Sequence, residues 1–207
     1  PHFDLLETMR WHNGCCPRLA YHLDRLCASA RYFGYCVSAR HVRRCLARYG
    51  DTLDPHTDYR IRMRCTATGA IHITSSALPA CGATPGPVRC SLAHEAVDAQ
   101  NIYLYHKTTN RTHYDRIRHA LAPEYEDALM YNREGELTET TIANLVCRID
   151  GVLVTPPAEC GLLPGILRRI LLERGLVTCR RIPVDALSRC SELYRINAVR
   201  GWQRICL

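Results

Sequence analysis

Hydrophobic and polar residues alternate in two stretches of the chain and follow helical spacing in four others. Over residues 3–11, Phe3, Leu5, Glu7, Met9 and Trp11 fall on one face, with Asp4, Leu6, Thr8 and Arg10 on the other. That is the period of a strand, with Glu7 out of place on the apolar side. Asn13-Gly14 supplies a tight turn. Residues 19–35 then place Leu23, Leu26, Cys27, Ala30 and Phe33 on one side of a helix. Ser38 caps a second helix, running to Gly50, that buries Val42, Cys45, Leu46 and Tyr49. Residues 59–66 alternate again, Ile61, Met63 and Cys65 opposite Arg60, Arg62 and Arg64, and Thr68-Gly69 turns into a partner strand over 70–74.

Residues 77–87 carry three prolines and two glycines and read as a surface connection. Beyond them the pattern predicts strands over 88–92, 128–131, 144–149, 152–155 and 193–196, and helices over 112–121 and 166–174. Asp150-Gly151 is the clearest hairpin turn in the chain. Residues 136–145, rich in Thr and Glu, read as a polar insert between two strands, and 93–101 follow neither period. The boundary between two domains is placed in that last stretch, giving 1–98 and 99–207.

Composition narrows the classes. At 207 residues, 47% hydrophobic and 23% charged, the chain is ordinary globular protein. It has no apolar run near the ~18 residues a membrane span needs, and Pro1-His2-Phe3-Asp4 lacks the features of a secretion signal. A cytoplasmic protein is expected. Thirteen cysteines, an odd number without a Cys-x-x-Cys pair, read mostly as small core residues, Cys27, Cys45, Cys65 and Cys147 among them. His94-Glu95-Ala96-Val97-Asp98 lacks the second histidine of a zinc helix, so no metal is expected. The net charge of +7 is spread along the chain without a nucleic-acid motif, which points to a solvated surface and a few arginines for an anionic ligand.

Of 27 basic residues, 26 are arginine, and the exception is Lys107 in Tyr103-Leu104-Tyr105-His106-Lys107-Thr108-Thr109-Asn110-Arg111. An ε-amine can lose its proton and attack a carbonyl, which a guanidinium cannot. Uniqueness alone leaves a Schiff-base lysine and a leftover surface lysine evenly matched. Pyridoxal phosphate chemistry asks for such a lysine, an acid at the pyridine nitrogen, and helix amides with a cation at the phosphate. Glu139, Arg25 in His22-Leu23-Asp24-Arg25-Leu26, and the helix start at Gly165-Ile166-Leu167-Arg168 are candidates for those roles. Each alone has a bland reading: a turn glutamate, a surface ion-pair partner, one helix start among several.

Taken together, FDLLETMRW, HLDRLCASARYFGY, YHKTTNRTHYD, DALMYNREGELTETTIANLV, TPPAECGLLPGILRRILLERG and INAVRGW resemble the class IV aminotransferase family, the fold type IV pyridoxal phosphate enzymes. The nearest branch is the aminodeoxychorismate lyases, including the form fused to an aminodeoxychorismate synthase component. The resemblance implies an α+β fold of two domains, an N-terminal α/β layer and a C-terminal β-rich pseudo-barrel, with the site in the interdomain cleft of a homodimer. It makes Lys107 the Schiff-base lysine, Glu139 the partner of the pyridine nitrogen, and Arg25 and the amides of Ile166 and Leu167 the phosphate ligands. Thr8 matches a threonine near the substrate, and Asn197 begins the loop beside phosphate and substrate. Leu167 departs from the threonine frequent among transaminases.

The reaction implied is conversion of 4-amino-4-deoxychorismate to 4-aminobenzoate and pyruvate. The two carboxylates of that substrate call for arginines, for which Arg200, Arg10 and Arg62 are candidates. An amino-acid transaminase on the same cofactor is the first alternative, and a non-catalytic anion-binding relative the second. A synthase component is a further expected partner; nucleic acid and membrane are not.

Overall fold

The computed structural model describes residues 3–79 and 86–207 and divides the chain into two compact units. One comprises Pro1–Ala83 with His106–Asn110, the other Thr84–Tyr105 with Arg111–Leu207. The short segment around Lys107 therefore packs with the first unit, apart from its sequence neighbours. The boundary placed between residues 98 and 99 falls inside the second unit.

In the first unit, β1 (Leu5–Trp11), β2 (Tyr59–Cys65) and β3 (Ile71–Ala77) form an antiparallel sheet in that order. Two helices, α1 (Leu19–Phe33) and α2 (Ala39–Gly50), supply the rest of its core. Leu5, Met9, Trp11, Ile61 and Met63 from the strands meet Leu23, Leu26, Ala30, Val42 and Leu46 from the helices. Gly34 ends α1 with φ 71°, its N–H donating to Ala30, and the Ser38 hydroxyl accepts from the His41 N–H at the start of α2. The opposite sheet face carries the alternate residues. Register sets Arg10 beside Arg60, Thr8 beside Arg62, and Arg62 beside Thr74. The partner strand is longer than the 70–74 expected, and of the connection over 77–87, residues 80–85 lie outside the described residues.

The second unit is a barrel-like sheet. Its strands are β4 (Val88–Leu92), β5 (Asp127–Tyr131), β6 (Leu137–Thr140), β7 (Asn144–Ile149), β8 (Val152–Thr155), β9 (Thr178–Cys179), β10 (Glu192–Asn197) and β11 (Gly201–Cys206). They run in the order β10-β11-β4-β5-β6-β7-β8-β9, and β10 also pairs with β7, which closes a ring. Leu129, Leu137, Leu145, Cys147 and Ile205 share one apolar cluster. Two helices cover further faces. From α3 (Thr112–His119), Tyr114 and Ile117 join Ala128 and Met130. From α4 (Ile166–Glu173), Leu167 and Leu171 join Val146 and Ile196. Asp150 and Gly151 have φ 52° and 76°, the two left-handed positions of a tight hairpin turn.

Three expectations need correction. Residues 137–140 are not a polar insert but β6, with Leu137, Thr138, Glu139 and Thr140 all buried. A strand with neighbours on both edges satisfies its backbone, and Glu139 and Thr140 have side-chain partners, whereas the Thr138 hydroxyl has none among the described residues. The loop expected from Asn197 is short, since a further strand, β11, begins at Gly201. Most cysteines are not core residues: of the twelve described, Cys65, Cys90, Cys147 and Cys160 are buried, whereas Cys27 and Cys45 are half-exposed at the margins of their helix faces. All twelve are free thiols.

Candidate functional site

The first unit holds Lys107 by its backbone. Leu6 N–H donates to the Lys107 carbonyl at 2.8 Å, Thr109 N–H to the Asp4 carbonyl at 2.8 Å, and Asp4 N–H to Thr109 Oγ1 at 2.9 Å. The segment thus runs antiparallel beside β1, with a bridge from Leu5 to Thr108. The neighbouring His106 is fixed as well. Its Nδ1 lies 3.0 Å from Ser29 Oγ, its ring sits 4.4 Å from the Tyr32 ring and 4.8 Å from the Phe33 ring, and burial lowers its pKa. Lys107 itself is half-buried.

Strand β1 also explains the misplaced acid. Glu7 is 1% exposed and accepts from Arg25 through both carboxylate oxygens, from Nε at 2.8 Å and from Nη2 at 2.7 Å. His22 Nδ1 lies 2.7 Å from Oε2. Burial alone would raise the Glu7 carboxyl; Arg25, followed by His22, overrides it and holds the pKa at about 2. Arg25 is therefore no loose surface cation. Thr8, next along the strand, is half-buried on the other face beside Arg62, which is exposed. Arg10 pairs with Asp58, which His12 Nδ1 approaches to 2.5 Å.

The second unit encloses Glu139. Its Oε1 accepts from the Tyr114 hydroxyl at 2.6 Å and the Leu163 N–H at 3.0 Å, and its Oε2 accepts from Asn144 Nδ2 at 3.0 Å. These three donors, the Tyr114 hydroxyl, the Leu163 amide and the Asn144 amide, are all neutral. Burial, with the Glu139 charge beside it, pushes the Tyr114 phenol well above its usual range. The Arg111 guanidinium lies 4.5 Å from the Tyr114 ring centre and donates to the Thr141 carbonyl at 2.8 Å. Asn144 Nδ2 also reaches the Leu163 carbonyl at 2.8 Å, joining the acid to the loop before α4. Gly165 caps α4 with no side-chain capping bond, so the Ile166 and Leu167 amides form the helix start without a side-chain cap. A Cβ on Gly165 would come 1.9 Å from Asn144 Oδ1, so a residue with no side chain is required there.

Asn197 ends β10, where its Oδ1 accepts from the Val199 N–H at 3.1 Å and the Arg200 N–H at 2.8 Å. Its side chain shapes the turn into β11 and sets the exposed Arg200. Sequence reasoning passed over Glu7, Tyr114 and Asn144 as functional candidates. Glu7 had a signal, an acid on an apolar face; the other two had none, because their partner is distant in sequence or shared with a loop.

The donor set suits pyridoxal phosphate. In the second unit a buried carboxylate can stabilise a protonated pyridine nitrogen and helix amides suit a phosphate, and in the first an oriented arginine suits an anion. Among the described residues no group of three His, Cys, Asp or Glu could hold a metal, and no helix is long and apolar enough to cross a membrane.

A two-unit α+β chain with a closed, β-rich second unit and these two buried carboxylates is matched by the family model for amino-transferase class IV over residues 4–207, and the chain belongs to that family. The structure of a "Putative amino-acid aminotransferase" from Mesorhizobium loti is 34% identical, with TM-score 0.89 and 99% of each chain covered. The "Putative aminodeoxychorismate lyase" of Schizosaccharomyces pombe is 28% identical over 77% of this chain and 69% of its own length. The "Probable branched-chain-amino-acid aminotransferase" of Synechocystis is 26% identical over 81% of this chain, which spans only 61% of that relative.

Proposed function

We propose that the chain is a pyridoxal phosphate-dependent lyase that converts 4-amino-4-deoxychorismate to 4-aminobenzoate and pyruvate. The observation that carries the cofactor reading is the Glu139 carboxylate, buried and held by Tyr114, Leu163 and Asn144. When bound, pyridoxal phosphate supplies an electron sink for the carbon bearing the substrate amine. Arg25 and the first amides of α4 bind the phosphate, and Glu139 keeps the pyridine nitrogen protonated. The Lys107 amine takes the proton from the amine-bearing carbon. Thr8 donates a proton from its hydroxyl to the departing enolpyruvyl group as the ring becomes aromatic. Arg200, Arg10 and Arg62 are the candidates for the two substrate carboxylates, and the Thr8–Arg62 pairing across β1 and β2 supports the last of them.

The lyase reading is favoured by Thr8 and by Asn197-Ala198-Val199-Arg200-Gly201, together with the similarity to the fission-yeast protein. The second reading, an amino-acid transaminase, is favoured by the 34% identity to the Mesorhizobium structure. Product analysis decides between them. The lyase yields 4-aminobenzoate and pyruvate from aminodeoxychorismate, and a transaminase passes the amino group of a branched-chain or D-amino acid to a 2-oxo acid. A homodimer and a cytoplasmic location belong to the same proposal, the former tested by light scattering.

A further inference from the structure

Glu7 and His22 are buried, charged or ionisable, and without a role in the reaction as set out above. A carboxylate on the apolar face of a strand costs several kcal/mol unless it is closely compensated. Here the compensation has a shape. Arg25 meets Glu7 through two parallel bonds at 2.8 and 2.7 Å, which fixes the plane of the guanidinium as well as its charge. His22 Nδ1, 2.7 Å from Oε2, the oxygen that also accepts from Arg25 Nη2, further restrains the carboxylate.

Stability alone accounts poorly for this cluster. Packed apolar side chains commonly replace a buried ion pair without loss. An ionised carboxylate only accepts, so Nδ1 of His22 carries the proton, and Nε2 is left buried with no hydrogen-bond partner among the described residues. Such a group costs about 1–3 kcal/mol. Exposure is graded too: the side chains of Glu7 and His22 are 1% and 2% exposed, that of Arg25 11%. The adjoining residue of β1, Leu6, holds the Lys107 backbone. Two consecutive positions of one strand thus set the lysine segment and the arginine.

We propose that Glu7 and His22 are positioning residues that hold the Arg25 guanidinium in the orientation it needs for the phosphate of the cofactor, so that little side-chain ordering is left for the binding step. This rests on reading Arg25 as a phosphate ligand.

The test measures dissociation constants of the cofactor-free chain for pyridoxal phosphate and for pyridoxal, which lacks the phosphate. Glu7→Gln is expected to weaken pyridoxal phosphate roughly tenfold, the scale of one charge-assisted hydrogen bond, and to leave pyridoxal unchanged. Adding Glu7→Gln to Arg25→Ala is expected to cause no further loss. Glu7→Asp, which keeps the charge but withdraws it by one methylene, and His22→Gln should show the same selective loss, and they carry the test if Glu7→Gln fails to fold. Equal weakening of both ligands, or a lower unfolding temperature with unchanged selectivity, overturns the proposal. If Arg25→Ala loses selectivity while the Glu7 and His22 variants keep it, only the positioning role falls. If Arg25→Ala keeps it, the phosphate reading of Arg25 falls and takes this proposal with it.

Discussion

The Leu6 N–H donates to the Lys107 carbonyl at 2.8 Å, and this bond binds the chain's single lysine to the first strand, about a hundred residues earlier in sequence. The two neighbouring bonds between Asp4 and Thr109 make the attachment a short antiparallel pairing. Backbone bonds of this kind do not depend on the lysine side chain, which separates its chemistry from its placement.

Lys107→Arg should accordingly leave the unfolding temperature nearly unchanged and abolish product formation. Borohydride treatment in the presence of pyridoxal phosphate should add the cofactor's mass to the parent chain and none to the variant. Mass gained by the variant would remove Lys107 from the reaction.

Glu139→Gln keeps a carbonyl oxygen for Tyr114 and Leu163 but sets an amide NH₂ against Asn144 Nδ2 and lacks the charge. Turnover should fall by about 1.5–3 kcal/mol of barrier, the worth of a hydrogen bond to a charged group, while the cofactor still binds. Steady-state rates alongside a binding titration check this, and an unchanged rate would refute the pairing.

Gly165→Ala fails for lack of space rather than for backbone conformation, since φ is −70° there. The new methyl group meets Asn144 Oδ1 at 1.9 Å and must displace a side chain that bonds both Glu139 and Leu163. A loss of about 1–3 kcal/mol in stability is expected, read by urea unfolding, together with weaker cofactor binding. A neutral outcome in both would mean that Asn144 yields freely.

Acid should reveal Glu7. Its carboxyl is held at about 2 against an ordinary value of 4.5, so the folded state prefers the ionised form. The resulting stabilisation, roughly 3 kcal/mol at 1.36 kcal/mol per pKa unit, is present above pH 4.5 and fades as pH falls from there through about 2. Unfolding midpoints across that window should drop less steeply in Glu7→Gln than in the parent. Parallel curves would assign the acid sensitivity to other groups.

Arg200→Met tests the substrate. The Arg200 N–H, not its side chain, is what Asn197 Oδ1 holds, so the turn should survive the change. The Michaelis constant for aminodeoxychorismate should rise with the cofactor spectrum unchanged. An unaltered constant would take Arg200 away from the carboxylates and with it one argument for lyase over transaminase.

Local pattern by itself determined the helices over Leu19–Phe33 and Ala39–Gly50, the paired strands Leu5–Trp11 and Tyr59–Cys65, and the hairpin at Asp150-Gly151. In each, one short window contains both the periodicity and the residue that ends it. The singularity of Lys107 was likewise legible without a structure. Tertiary structure decided what those windows cannot contain. Leu137–Thr140 reads as polar because its compensation lies elsewhere, in Tyr114, Asn144 and Leu163 around Glu139 and in the Ala143 carbonyl that accepts from the Thr140 hydroxyl. Glu7 looked misplaced until a helix brought Arg25 and His22 to it. Buried Arg168 and Arg195 break the expectation of a solvated arginine, the first by donating to the Pro156 carbonyl and the second by pairing with Asp127. Periodicity reports which side of an element is dry, whereas the cost of a buried charge depends on the partner across from it, and only the folded chain supplies that partner.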